Sequence, residues 1–167
     1  MTNTAAYLKK YDLEDLYQLA VNTGVTNEKA LDKDGLIEEI SENLLNDDVI
    51  KYAFLYSDDA ALSSWEQGAA DKEYAENLSL TDVYGLYIMG HAYESLNDED
   101  SFFIIDEVLE KFDTVDTEEN REARTAVQRQ LNLIRSALHL YGVVEFKQIV
   151  HLFKKYYGMD VTIEEVV

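Results

Sequence analysis

In the segment 117–141 apolar residues return at alternating steps of four and three: Val127, Leu131, Ile134, Leu138 and Tyr141, with Ala123 and Ala137 alongside. A strand would scatter these side chains over both faces, because its side chains alternate every second residue. An α-helix gathers them into one heptad-like stripe. The spacing therefore predicts a single long helix whose stripe faces a core or a partner, with Gly142 as its stop. The chain has no proline in 167 residues, so no helix interior is broken by a ring without an N–H. The expectation is a mainly α fold.

Short helices are predicted upstream. In "YDLEDLYQLAVNTGVTNEKALDKDGLIEEI", residues 11–40, Asp12 is a candidate N-cap. Leu13, Leu16, Leu19 and Ala20 follow on one face, and Gly24 supplies the left-handed stop before Val25 turns inward. Leu31 anchors the connector. Asp32 or Asp34 opens a second helix with Leu36, Ile37, Ile40, Leu44 and Leu45 inward. Asp47 or Asp48 is expected to cap a helix burying Val49, Ile50, Ala53 and Phe54, and Ser57 one burying Leu62 and Trp65. Ser79 or Thr81 opens a tyrosine-rich helix ending near Gly90. "HAYESL" and "SFFII" flank the polar "NDED", which predicts one small β-hairpin with Asp98, Glu99 and Asp100 at its tip. Asp106 is expected to cap "DEVLEKF". Helix, helix, hairpin is a winged-helix-like order, although a DNA-contacting wing would be basic at its tip. Beyond Gly142, "VVEFKQIVHLFKKYYG" predicts an amphipathic helix burying Phe146, Ile149, Val150, Phe153 and Tyr157. Thr162 is expected to cap a last turn that either packs near Phe153 and Tyr157 or is completed by further chain in the native protein. The segments are 1–46, a two-helix module; 47–116, winged-helix-like helices plus hairpin; and 117–167, a long helix and an amphipathic one.

Leu13, Leu16, Leu19, Ala20, Gly24, Val25, Leu31, Lys33, Leu36, Ile37 and Ile40 together hold a pattern. It resembles the N-terminal helical module of Rho transcription termination factor and the related SAP-type helix-extended-helix family. The resemblance implies a two-helix fold that contacts nucleic acid or assists a neighbouring binding domain. This copy departs from a binding version, because Asp32, Asp34, Glu38 and Glu39 surround Lys33 where phosphate would want cations. The combination "FFIIDEV", "LYGVV" and F-x₂-I-V-x-L-F is similar to uncharacterised cytosolic proteins of low-GC Gram-positive bacteria and their phages. That likeness implies a small, bacterial, α-rich scaffold.

Charge bounds the function. The net charge is −20 and is unevenly spread: −7 over residues 1–48, −15 over 49–119 and +2 over 120–167. All four arginines, Arg121, Arg124, Arg129 and Arg135, fall within 15 residues, and Lys147, Lys154 and Lys155 follow on the next helix. These seven are the candidate nucleic-acid contacts. Their competing role is to pair with acids upstream. No cysteine is present, which removes disulfides, thiolate metal sites and cysteine nucleophiles. His91, His139 and His151 make no metal-binding spacing. "NDEDSFFIIDEV" lacks the sixth-position glycine and twelfth-position glutamate of a calcium loop. Carboxylate pairs such as Asp58/Asp59 and Glu118/Glu119 lie in polar surroundings, which do not separate their pKa values. No phosphate loop or nucleophile elbow appears. No signal peptide or membrane span is visible, so the expected location is the cytoplasm. No catalytic, cofactor or metal residue is expected. Twelve tyrosines, dense between Tyr52 and Tyr93, suit core edges and interfaces. The expected function is a non-enzymatic interaction or adaptor protein with a role in regulation, its protein partner unidentified. The alternatives are a nucleic-acid-binding protein using the C-terminal cations and, behind it, an acidic DNA mimic.

Overall fold

The computed structural model describes residues 4–26, 28–95 and 100–162. The chain divides into two compact units, residues 1–121 and 122–167.

The first unit is built from short, individually capped helices. Helix α1 (Thr4–Leu8) precedes α2 (Leu13–Asn22), whose N-cap Asp12 accepts from the backbone N–H of Glu14 and Asp15. Two of the four N–H groups orphaned at the helix start are thereby satisfied. Gly24 sits at φ +78°, and Val25 donates back to Ala20 O as the chain turns inward. Asp32 caps α3 (Lys33–Leu44) through the N–H of Gly35. Lys33, the cation of the two-helix pattern, sends its amine to the carbonyl oxygens of Lys9 (3.2 Å) and Tyr11 (2.6 Å). Both carbonyls belong to the connection between α1 and α2, which Lys33 thereby ties to the start of α3.

Three expected caps shift by a residue. Asn46 caps α4 (Asp47–Tyr56), leaving Asp47 and Asp48 in the first turn, where the helix dipole favours acids. Asp58, not Ser57, caps α5 (Asp59–Ala70). Ser57 is buried and donates to Ala53 O, closing α4 instead. Ile105 occupies the N-cap of α7 (Asp106–Glu110), and Asp106 is its first helical residue. Ser79 opens α6 (Leu80–Ile88) with a capping box to Asp82, as expected. Strands β1 (Ala92–Glu94) and β2 (Phe102–Ile104) pair antiparallel, Ala92 opposite Ile104. The hairpin tip residues Asp98 and Glu99 lie outside the described residues; Asp100 is exposed. Helix α8 (Phe112–Val115) closes this region.

One hydrophobic core runs from Tyr7 to Val115. At one end Trp65 packs edge-on against Phe112, with Phe54 alongside, and its indole N–H donates 3.0 Å to Val108 O. A buried indole needs such a partner. Gly68 lets α5 meet its neighbours, since a Cβ there would stand 2.9 Å from both Ala75 and Leu109. Leu13 is 41% exposed, so the first turn of α2 lies at the rim and not in the core. Ion pairs Lys72–Asp106, Lys72–Glu110 and Lys111–Asp47 lie outside this core. They are partly exposed and contribute little each.

Helix α9 (Glu118–Tyr141) is continuous, matching the long helix read from the stripe, and the unit boundary falls within it. Gly142, at φ +72°, ends it. Helix α10 (Phe146–Tyr157) opens with a Glu145–Gln148 capping box and stops at Gly158 in the left-handed region. Ile149 and Phe153 are buried as expected, but Phe146 (49%) and Tyr157 (43%) are exposed. Thr162 is not helical, and the turn expected after it lies outside the described residues. Among those residues no helix is long and apolar enough to cross a membrane.

Candidate functional site

Of the seven cations proposed from sequence, Arg121 falls in the first unit and the other six in the second, on α9 and α10. Arg121 belongs to the first unit, where its guanidinium grips the Asp116 carboxylate with two donors and reaches Glu66 at 3.6 Å. Both acids raise its pKa, led by the Asp116 hydrogen bond. Arg124 is half-buried, while Arg129 and Arg135 are exposed on α9. On α10, Lys147 is exposed, Lys154 pairs with Asp160, and Lys155 lies 5.1 Å from the centroid of the Tyr156 ring.

Beside these cations lies an apolar surface. Val127, Leu131 and Ile134 are only half-buried, and Leu138 (44%) and Tyr141 (66%) are exposed, so of the heptad stripe only Ala137, alongside these five, is buried. The surface continues through Val143 (88%). A groove of about 540 Å³ lies here, lined among others by Tyr141, Val144, Lys147 and Leu152. Residues 123–144 contain three arginines and no acid, in a chain with 34 acids. That acid-free run is the signal by which sequence reasoning could have marked this face. Counting net charge over a longer window hid it.

A second concavity lies in the first unit, a cleft of about 1010 Å³ that sequence reasoning missed. Four tyrosines line it, Tyr7 from α1, Tyr11 before α2, Tyr87 from α6 and Tyr93 from β1. Tyr7 and Tyr93 are buried, their ring centroids 4.5 Å apart, and Tyr11 stands edge-on to both. The Tyr7 hydroxyl donates to Glu94 O. Burial raises the pKa of Tyr7, Tyr11 and Tyr93, reinforced by neighbouring phenols and acids. All three are therefore neutral across the physiological range. Lys10 Nζ lies 4.7 Å from the Tyr7 ring centroid, and Asp12, Asp15 and Glu94 are the acidic residues among those lining the cleft.

His91, next along from the cleft residue Gly90, is fully buried, with Nε2 2.9 Å from Leu44 O. Burial drives its pKa from 6.5 to about 4, the Leu44 carbonyl opposing in part. The imidazole is thus neutral and ties β1 to the end of α3. His139 and His151 are exposed. Among the described residues no three His, Asp or Glu side chains group as metal ligands. Compared with family models, curated proteins and solved structures, the chain finds no match in any of the three.

Proposed function

We propose that the chain is a non-enzymatic adaptor that engages a protein partner through the apolar face of α9 and α10. One observation carries this reading: a heptad stripe whose five large residues, Val127, Leu131, Ile134, Leu138 and Tyr141, all stay half-buried or exposed. A patch of Leu, Tyr and Val left at the surface marks an interaction site, and Tyr and Arg are the side chains most often decisive in such sites. The partner fits as an amphipathic helix with acidic flanks. Its apolar ridge would seat in the stripe, and its carboxylates would meet Arg129 and Arg135. A second copy of the chain fits less well, since two acid-free arginine faces would be opposed. The Rho-like and SAP-like resemblance of the first module bears on its core positions, and its Lys33 is engaged with backbone carbonyls.

The second reading is nucleic-acid binding through Arg124, Arg129, Arg135, Lys147, Lys154 and Lys155, and the exposed Tyr141 and Tyr156 favour it as stacking platforms. Against it stand the carboxylates on Arg121 and Lys154 and a first unit carrying 29 acids and 8 basic residues. Affinity capture from the source lysate should be run in parallel with the wild type and with Leu138→Asp, alongside fluorescence anisotropy on duplex and single-stranded DNA. The expected result is at least one protein retained by the wild type and lost by the variant, with DNA binding no tighter than ~0.1 mM at physiological salt. Identical captured sets, or low-micromolar DNA binding, would overturn the proposal.

A further inference from the structure

We infer that the tyrosine cleft of the first unit is a binding site for an organic cation, a guanidinium or alkylammonium group carried on a larger body. The inference does not depend on the α9–α10 reading, because every lining residue lies in the first unit. Tyrosine ring faces carry negative potential and attract cations within about 6 Å. Of the four rings, Tyr11 and Tyr87 are open to a ligand while Tyr7 and Tyr93 are buried, and the lining carries Asp12, Asp15 and Glu94 against Lys10 among the described residues. Lys10 already sits 4.7 Å from the Tyr7 centroid, so the chain itself places a cation on this ring system. An anion would be repelled by this acidic lining, and a neutral ligand would gain hydrogen bonds from it but no charge attraction.

The open rings of Tyr11 and Tyr87 beside acidic residues suit a guanidinium or alkylammonium group, which brings N–H donors as well as charge. The volume, about 1010 Å³, lies at the top of the range of small-molecule sites. The cation therefore arrives attached to something, either as a free metabolite or as a side chain of a peptide.

Calorimetric titration of the full chain decides it, with butylguanidinium as the free cation, N-butylurea as its neutral isostere and a blocked Gly-Arg-Gly tripeptide as the peptide-borne cation. Saturable binding of a guanidinium probe is expected, with none for N-butylurea. Tyr87, 39% exposed, can be changed without opening the core. Tyr87→Ala should weaken binding about 3- to 30-fold while Tyr87→Phe retains it. Asp15→Asn should weaken it about 2- to 5-fold, and Leu138→Asp should leave it unchanged. Tighter binding of the tripeptide assigns the ligand to a peptide, and equal or tighter binding of butylguanidinium assigns it to a free cation. The inference is overturned if neither guanidinium probe saturates, if N-butylurea binds as well, or if Tyr87→Ala and Asp15→Asn both bind like the wild type.

Discussion

The two units use their apolar residues in opposite ways. In the first, Leu16, Ala20, Leu36, Ile40, Ile50, Phe54, Trp65 and Leu86 are all completely buried. In the second, the described residues that reach burial are Ala137, Ile149 and Phe153, while Leu138, Leu140, Tyr141 and Val143 stand in solvent. Charge follows the same division: 29 acids against 8 basic residues in residues 1–121, and 5 against 6 in 122–167. A region that buries its own stripe is complete as it stands. One that exposes a regular stripe has kept the apolar surface that a partner would cover. The difference teaches that an apolar period predicts a helix equally well in both units, but not what the helix packs against.

The sharpest way to break this contrast is to damage the first core. Trp65→Ala should cost about 3–5 kcal/mol, from the cavity and from loss of the indole hydrogen bond to Val108 O. Urea unfolding followed by circular dichroism would read it, and a loss under 1 kcal/mol would mean the first unit is not the self-sufficient one. The next effect concerns His91, whose unfolded pKa is 6.5 and whose folded pKa is about 4. Above pH 6.5 both states are neutral and this residue adds no pH dependence. As the pH falls from 6.5 towards 4 only the unfolded chain takes the proton, so stability is lost progressively, by about 3 kcal/mol at the lower end. Unfolding free energies at pH 7 and 4.5 should therefore drop further in the wild type than in His91→Gln, a comparison that cancels the many carboxylates. Parallel profiles would mean that the imidazole is not held neutral in the fold. The smallest effect is expected in the second unit, where Leu138→Asp should change stability by no more than about 0.5 kcal/mol. A large loss there would show that the stripe is already covered, and the contrast would fail.

Local physics was legible in the sequence wherever it was sufficient. Helix α9 matches the expected segment to one residue, and Asp12, Asp32, Ser79, Gly24 and Gly142 act where expected, because caps and left-handed stops are set by neighbours along the chain. The mainly helical class and the small hairpin follow from the same signals. The shifted caps fall where several capping residues are adjacent, as in Asn46-Asp47-Asp48 and Ser57-Asp58-Asp59, and only the tertiary path chooses among them. Helix α1 was not foreseen because five residues carry no period. It is held by remote contacts, Tyr7 on Tyr93 and Thr4 on Glu107. The cleft was invisible for that same reason, since its tyrosines lie up to 86 positions apart. The exposure of the α9 stripe could not be read from its spacing, which is the same for a core and for a docking face.

The small sheet has a consequence for how the protein behaves when concentrated. Two strands alone leave two edges, and an edge with free N–H and C=O groups is a template on which other chains add strands and grow fibrils. Here Leu78 closes the outer side of β2, exchanging both backbone hydrogen bonds with Phe102 at 2.9 and 2.8 Å. On β1 the Tyr7 hydroxyl takes the outward carbonyl of Glu94 and lays an aromatic ring across the strand end. Part of each edge of the small sheet is thus closed to an added strand, by a single residue on one side and a single side chain on the other.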